Sequence, residues 1–557
     1  MFTHRQVLTI LIGLMLGMFL AALDQTIVAS AIRTIGDDLH GLSVQAWVTT
    51  AYLITSTIST PLYGKLSDLY GRKPFFLLAI TVFIVGSAAS SFSTSMYMLA
   101  AFRAFQGLGA GGLFSMALAI IGDIVSPRER ARYQGYFLAV FGTSSVLGPV
   151  VGGFFAGTSS ILGIAGWRWV FLVNVPIGIV ALIAVWYTLN IPHVPRKARI
   201  DWGGAVALIV CLIPLLIVAE QGRLWGWGSA RALLCYAIGI IGLALFIVAE
   251  YRMGDDALIP LRFFRNKVFS ISSAVAVVVG MGMFGGLSVL PLYLQIVRGA
   301  SPTESGLLLL PLTGGLMVAS IISGQMISRT GRYKIFPIIG GALMIIALLL
   351  MHGIGADTPL WQTGLYTAIF GLGVGNLMQP ITLAAQNAMP ARDIGVATSS
   401  TTFFRQMGGT LGTAVFLSVL FSTVGDNIRN AFIRAARTAQ FQAALHDPKV
   451  LANAANKPIL AFIRGAGQVS SSTLNDTSFL NHADRRLAEP FFVGFSQSMD
   501  LVFILGAAVV CIGFVLVLFL PELPLRTTSG LEAQRAAANA ATSVAPPSPA
   551  SAATVGS

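Results

Sequence analysis

Gly64-Lys65-Leu66-Ser67-Asp68-Leu69-Tyr70-Gly71-Arg72-Lys73 returns in looser form as Gly324-Gln325-Met326-Ile327-Ser328-Arg329-Thr330-Gly331-Arg332-Tyr333-Lys334. Gly64, Gly71 and Arg72 align with Gly324, Gly331 and Arg332 at one constant offset of 260 residues. Each copy is a polar, glycine-punctuated strip between two long apolar runs. A strip repeated at the same place between such runs implies two similar halves.

A helix needs about 20 apolar residues to cross the hydrocarbon core. Runs of that length centre near residues 20, 55, 83, 110, 145, 179, 210, 241, 281, 315, 343, 372, 409 and 508, which predicts fourteen membrane helices. The strip follows the second run and its copy follows the tenth. The seventh and eighth runs (about 202–219 and 232–250) therefore stand between two bundles of six. The expected fold is an all-α polytopic membrane protein with two six-helix bundles and two extra central helices. Its divisions are 1–190, the first bundle; 191–267, the central pair with its loops; 268–526, the second bundle; and 527–557, a tail. Parallel repeats with a site between them near the midplane are a transporter architecture.

Composition agrees. The 557 residues are 55% hydrophobic and 10% charged, against about 25% charged in soluble domains, and the mean hydropathy is +0.79. A water-facing enzyme and an extensively disordered chain are both excluded. Cys211, Cys235 and Cys511 lie in apolar runs and read as buried free thiols, so neither a disulfide framework nor a metal site is expected. Met1–Arg5 and the small residues Ala21–Ala22 resemble a secretory signal, but the apolar run continues to Ala31 and reads as a retained first helix.

The net charge of +13 is mainly a topology signal. With the N-terminus cytoplasmic, the inner loops and termini hold 20 Lys and Arg, among them Lys65, Arg72, Arg128, Arg130, Arg196, Lys197, Arg329, Arg332 and Arg535, while short outer loops hold 5. Both termini are thus expected to be cytoplasmic, in a multi-pass plasma (inner) membrane protein, and nucleic acid is not implied. Residues 423–496 read as a long outer loop. Ile428, Phe432, Ala435, Ala436 and Ala439 sit there at helical spacing, suiting an amphipathic helix on the membrane or on the protein. Asn475-Asp476-Thr477 matches a glycosylation acceptor. Residues 527–557, rich in Ala, Ser, Thr and Pro, read as a disordered cytoplasmic tail.

The Gly64–Lys73 strip resembles the loop signature of the major facilitator superfamily. Leu23-Asp24-Gln25-Thr26-Ile27-Val28, Arg103-Ala104-Phe105-Gln106-Gly107, Gly148-Pro149-Val150-Val151-Gly152-Gly153, Trp167–Pro176 and Arg405-Gln406-Met407-Gly408-Gly409 resemble its fourteen-helix drug–proton antiporter branch, the EmrB/QacA-like exporters. The resemblance spans about residues 8–422 and the last helix. It implies alternating-access export of lipophilic, often cationic compounds in exchange for protons. It also implies no cofactor beyond the proton gradient, small-molecule substrates, the bilayer as surroundings, and a monomer. Export of an endogenous lipid, siderophore or metabolite is the alternative.

Among 22 acidic residues, Asp24 stands out as lying well inside an apolar run. Burial penalises its ionised form, so protonation can serve as a transport event. The plainer reading is a structural carboxylate satisfied by Gln25, Thr26 or a neighbouring helix. Arg103 resembles the fourth-helix arginine that the family associates with proton coupling; otherwise it binds backbone carbonyls. Asp68, Arg72 and Asp123 sit at helix ends on the inner side. Carboxylates there can cap helix N-termini, and Arg72 can bridge to Asp123, closing a gate with Gly64 and Gly71. Ser328 replaces Asp68 in the second copy, so no equivalent latch is expected there. Gly148, Gly152 and Gly153 permit close helix approach and Pro149 bends the axis; their pattern resembles the antiporter motif and favours efflux.

Tyr52, Phe137, Phe141, Phe284, Tyr293, Asn376, Met378, Gln379, Phe403, Phe404, Arg405 and Gln406 are candidates for the substrate cavity, although packing is open to each. Arg405 can hold an anionic group or tie helices together. The lone intramembrane carboxylate disfavours dicationic drugs. All six His lie at termini, helix ends or in loops, with no buried acid–base cluster, so no catalytic residues are expected. No phosphate-binding Gly-x-x-x-x-Gly-Lys-Ser/Thr loop is present, which argues against an ATP-driven pump.

Overall fold

The computed structural model describes residues 4–40, 46–192, 199–464, 478–481, 483–534 and 536. Among the described residues, twelve helices are long and apolar enough to cross a membrane. Ala46–Tyr70 and the shorter apolar Ile335–Met351 bring the candidate spans to fourteen. In chain order they are α1 His4–Asp38, α2 Ala46–Tyr70, α3 Arg72–Ser91, α4 Met96–Ile124, α5 Pro127–Gly157, α6 Asn174–Thr188 and α7 Trp202–Trp225. The second set is α8 Ala230–Met253, α9 Lys267–Leu292, α10 Leu310–Thr330, α11 Ile335–Met351, α12 Leu360–Ala388, α13 Ile394–Ala435 and α14 Arg485–Leu518.

Local chemistry sets many of the helix starts. Ser95, Ser126, Asp201, Ser229 and Asn266 each cap a helix by accepting one of its first backbone N–H groups. The two strips end alike: Gly71 (φ 100°) and Gly331 (φ 73°) both take positive φ between consecutive helices, a conformation that residues with a Cβ rarely adopt. This is why glycine recurs at that position.

Two seams join the halves. In one, α2 packs on α13; in the other, α5 packs on α10. Moving eight helices along the chain turns α2 into α10 and α5 into α13, so the seams are equivalent under the repeat. The central pair packs on the first seam, where Leu208, Cys211 and Leu212 of α7 meet Ile54, Ile58 and Phe403. Large apolar side chains of α8, including Ile240 and Ile241, remain exposed in a belt suited to lipid. Cys211 is buried, but Cys235 is only partly buried and Cys511 is exposed, correcting the expectation of three buried thiols.

The stretch expected as a long loop is largely helical. α13 has 42 residues, about 63 Å at the usual rise, and so outruns the hydrocarbon core. Beyond it, Ala439–His446 packs on α14, Pro448–Ala452 packs on Ala439–His446, and Lys457–Arg464 meets α13 and α14 through Phe462. Phe432, Phe441, Phe462, Phe479 and Phe491 form their aromatic core. Ile428 and Phe432 are buried and Ala435 is half-buried, whereas Ala436 and Ala439 are exposed, so the apolar stripe rests on protein. The Asn475 acceptor lies outside the described residues, as do Arg196, Lys197, Arg535 and residues 537–557 of the tail. The start of the tail is ordered: Ser529 and Glu532 cap each other's backbone N–H groups, and Leu531 is buried.

Candidate functional site

At the face where α1 begins and α14 ends, the termini face, side chains of the repeated strip bridge the two halves. Arg72, freed to enter α3 by the turn at Gly71, pairs with Asp68 of α2 and with Asp123 of α4, the latter through Nε at 2.7 Å. Its Nη1 also donates to Ser67 Oγ at 2.6 Å. Held in this way, Asp68 Oδ2 accepts the Val396 backbone N–H of α13 at 2.9 Å. That N–H belongs to the first turn of a helix and has no intrahelical acceptor, so the carboxylate both satisfies it and meets the positive end of the helix dipole. Gly64 makes the approach possible, because a Cβ there would collide with Ser399. The five strip residues thus come together, with Asp68 reaching across the halves.

The second seam is bridged as well, by a contact of the opposite polarity and without a carboxylate in the place of Asp68. Arg128, at the start of α5, donates to the Ser328 and Arg329 carbonyls at the end of α10, both at 2.8 Å. A cation at a helix C-terminus replaces a carboxylate at an N-terminus. Sequence reasoning missed it because main-chain acceptors leave no trace in residue identity. It also missed Arg130, fully buried, which donates to Gln386 of the other half and to the Gly122 and Val125 carbonyls. The ordered start of the tail lies at this junction: Gly530 packs against Gly122, Asp123 and Ile394, and Gln534 donates to the Ala391 carbonyl.

Within the first half, Asp24 is fully buried. Its Oδ2 pairs with Arg103 Nη1 at 2.5 Å, and its Oδ1 accepts Gln106 Nε2 at 2.9 Å and Asn174 Nδ2 at 2.8 Å. The partners come from α4 and α6, whereas Gln25 lines the cavity and the Thr26 hydroxyl donates to backbone carbonyls. The Arg103 guanidinium lies 4.1 Å from the Tyr52 ring centroid, adding a cation–π contact. Gln106 and Asn174 were absent from the sequence candidates; lying in the Arg103–Gly107 and Trp167–Pro176 segments, they were visible only as motif members.

The antiporter-like segment holds α5 against α1. A Cβ at Gly148 would strike Thr26, and one at Gly152 would strike Ser30. Gly153 is exposed and takes no part in that contact. Pro149 faces Gly306 of the other half, and its missing N–H leaves the Ser145 carbonyl without its usual helical donor.

Between the halves lies a central cavity of about 280 Å³, lined by Tyr52, Arg103, Phe137, Phe141, Phe284, Met378, Gln379, Arg405 and Gln406 among others. It shares Gln25, Phe141, Met283 and Met378 with a larger cavity of about 640 Å³ that reaches Arg33, Gln295 and Ser305, toward the face opposite the termini. Tyr293, Asn376, Phe403 and Phe404 line neither cavity. Tyr293 is buried near the end of α9 with its hydroxyl on the Gly355 carbonyl; Asn376 bonds the Leu372 carbonyl and abuts Gly340. Phe403 and Phe404 point to the seam with α7 instead, one helical step round α13 from Arg405. No group of residues able to hold a metal ion occurs among the described residues.

The model of the Major Facilitator Superfamily matches residues 14–413. Multidrug resistance protein 3 of Bacillus subtilis is 32% identical over 93% of this chain and 96% of its own length. The tetracycline resistance determinant of Streptomyces rimosus is 39% identical over 62% of this chain and 98% of its own. Among solved structures, the proton:xylose symporter XylE bound to 6-bromo-6-deoxy-D-glucose superposes with a TM-score of 0.58 at 15% identity, covering 96% of this chain and 100% of that one, a likeness of fold. With two pseudo-equivalent bundles, a cavity between them and a family match over most of its length, the chain is a multi-pass membrane transporter that belongs to the major facilitator superfamily.

Proposed function

We propose that the protein is a proton-coupled exporter of lipophilic drugs that works by alternating access in the plasma (inner) membrane, with both termini cytoplasmic. The observation that carries this reading is the cavity itself: it lies between the halves, widens away from the termini face, and is sealed toward that face by the Asp68–Arg72–Asp123 latch. Such a seal can break and reform as the halves rock, exposing the same cavity to each side in turn. The relatives named for multidrug and tetracycline resistance favour outward movement. The Asp24–Arg103 pair supports proton coupling. Protonation of Asp24 removes the charge that holds Arg103, and Arg103 touches both Tyr52 and the central cavity.

The experiment is tetracycline movement in everted vesicles energised by a proton gradient, wild type beside Asp24→Asn. Uptake that collapses with the gradient and is lost in folded Asp24→Asn supports the reading. Absence of gradient-dependent movement of tetracycline, and of a panel of lipophilic dyes, with folded wild type sinks it.

A further inference from the structure

Of the two buried cations that border the central cavity, Arg103 is paired with Asp24, whereas Arg405 has no charge partner among the described residues. Its side chain is only 8% exposed, it borders the central cavity, and no carboxylate or hydrogen-bond acceptor of the described residues engages it. An unpaired guanidinium in a membrane interior is costly and calls for a partner. The surrounding backbone holds it in place: Gly280 of α9 sits against the Arg405 carbonyl, and Gly408 and Gly412 press α13 on Val277 and Met281.

The neighbouring polar groups are suited to the same partner. Among the described residues, neither cavity is lined by Asp or Glu. The one carboxylate nearby, Asp24, is already spent on Arg103, Gln106 and Asn174. The Tyr52 hydroxyl, fully buried behind the cavity wall, has no hydrogen-bond partner among the described residues. Gln406 gives its Oε1 to the Thr60 hydroxyl, which leaves its amide N–H groups for the cavity. Hydroxyls and amides such as Thr57, Thr402 and Gln379 share the wall with a patch of aromatic and thioether groups, where Phe114 and Phe141 stack at 5.1 Å with Met283, Phe284 and Met378 in the same lining. Such a patch suits a flat apolar body.

We infer that the cavity selects lipophilic anions over cations, with Arg405 binding the substrate's carboxylate, phenolate or enolate and the aromatic wall holding its body. This rests on the exporter reading only for the direction of movement; the binding site stands apart from it. Arg405 belongs to α13 and Asp24 to α1, so substrate and proton are linked through reorientation of the halves rather than through competition for one group.

Two xanthene dyes of similar shape and opposite charge, fluorescein and rhodamine 123, provide the test. Their binding to purified wild-type, Arg405→Gln and Arg405→Lys proteins is read by fluorescence anisotropy, with melting temperatures as the folding control. Gradient-driven movement of both dyes is then measured in reconstituted vesicles. Fluorescein is expected to bind at least about tenfold more tightly than rhodamine 123, to lose about tenfold in Arg405→Gln, and to recover partly in Arg405→Lys, the scale of one buried charge-assisted contact. Equal or tighter rhodamine binding, no binding of either dye to folded protein, or fluorescein binding unchanged in Arg405→Gln overturns the inference. Arg405-dependent fluorescein binding without gradient-driven movement of either dye upholds the anion site and sinks the exporter reading instead.

Discussion

Asp68 of the first half accepts the Val396 backbone N–H of the second at 2.9 Å while Arg72 holds the same carboxylate from behind. One side chain thus ties the repeated strip of one bundle to the first turn of a helix in the other. Asp68→Asn keeps the size but removes the charge that favours a helix N-terminus. A buried charge-assisted bond is worth about 1.5–3 kcal/mol, so the balance should move toward opening at the termini face by roughly one to two orders of magnitude. Distances between spin labels at the ends of α2 and α13 report it; an unchanged distribution removes Asp68 from the latch.

Gly64→Ala should impair closure, because its methyl would occupy the space of Ser399. Adding Ser399→Gly should restore much of the lost transport. Failure of that pair to rescue, with both proteins folded, would place the defect somewhere other than this contact.

Asp24→Asn leaves Arg103 buried beside neutral amides. Breaking one side of a buried pair costs about 3–5 kcal/mol, which should appear as a lower melting temperature. Asp24→Asn with Arg103→Gln should regain most of that stability while gradient-driven transport stays lost. If transport returns with stability, the pair is structural only.

Arg128→Ala should open the termini face far less than Asp68→Asn. Its bonds to Ser328 and Arg329 are exposed, and such contacts contribute under about 1 kcal/mol. The same spin-label distances, taken between α5 and α10, decide the matter: a shift as large as that of Asp68→Asn would make this the dominant latch.

Phe432→Ala should loosen the helical cap beyond α13 by about 3–5 kcal/mol, since three other phenylalanines, Phe441, Phe462 and Phe491, pack against it. Limited proteolysis between residues 436 and 484 should accelerate. Intact resistance would mean that the cap does not depend on its aromatic core.

Residue order alone was enough for the fourteen candidate spans, the two halves and the contact between Arg72 and Asp123. Apolar runs of membrane length have few alternatives to helix, and a glycine with positive φ repeated at Gly71 and Gly331 marks the same turn twice. Asp24, Arg103 and Arg405 were legible for a related reason: an ionisable group within an apolar run has to be buried against something. What that something is was decided by packing. Only the assembled helices set Asn174 and Gln106 on Asp24, placed Arg128 on two carbonyls, and turned Phe404 to α7 while neighbouring Arg405 entered the cavity. Adjacent residues on a helix differ by about 100° in direction. Membrane helices are apolar on every side, so hydrophobic patterning does not tell which direction is inward, and the choice belongs to the contacts between helices.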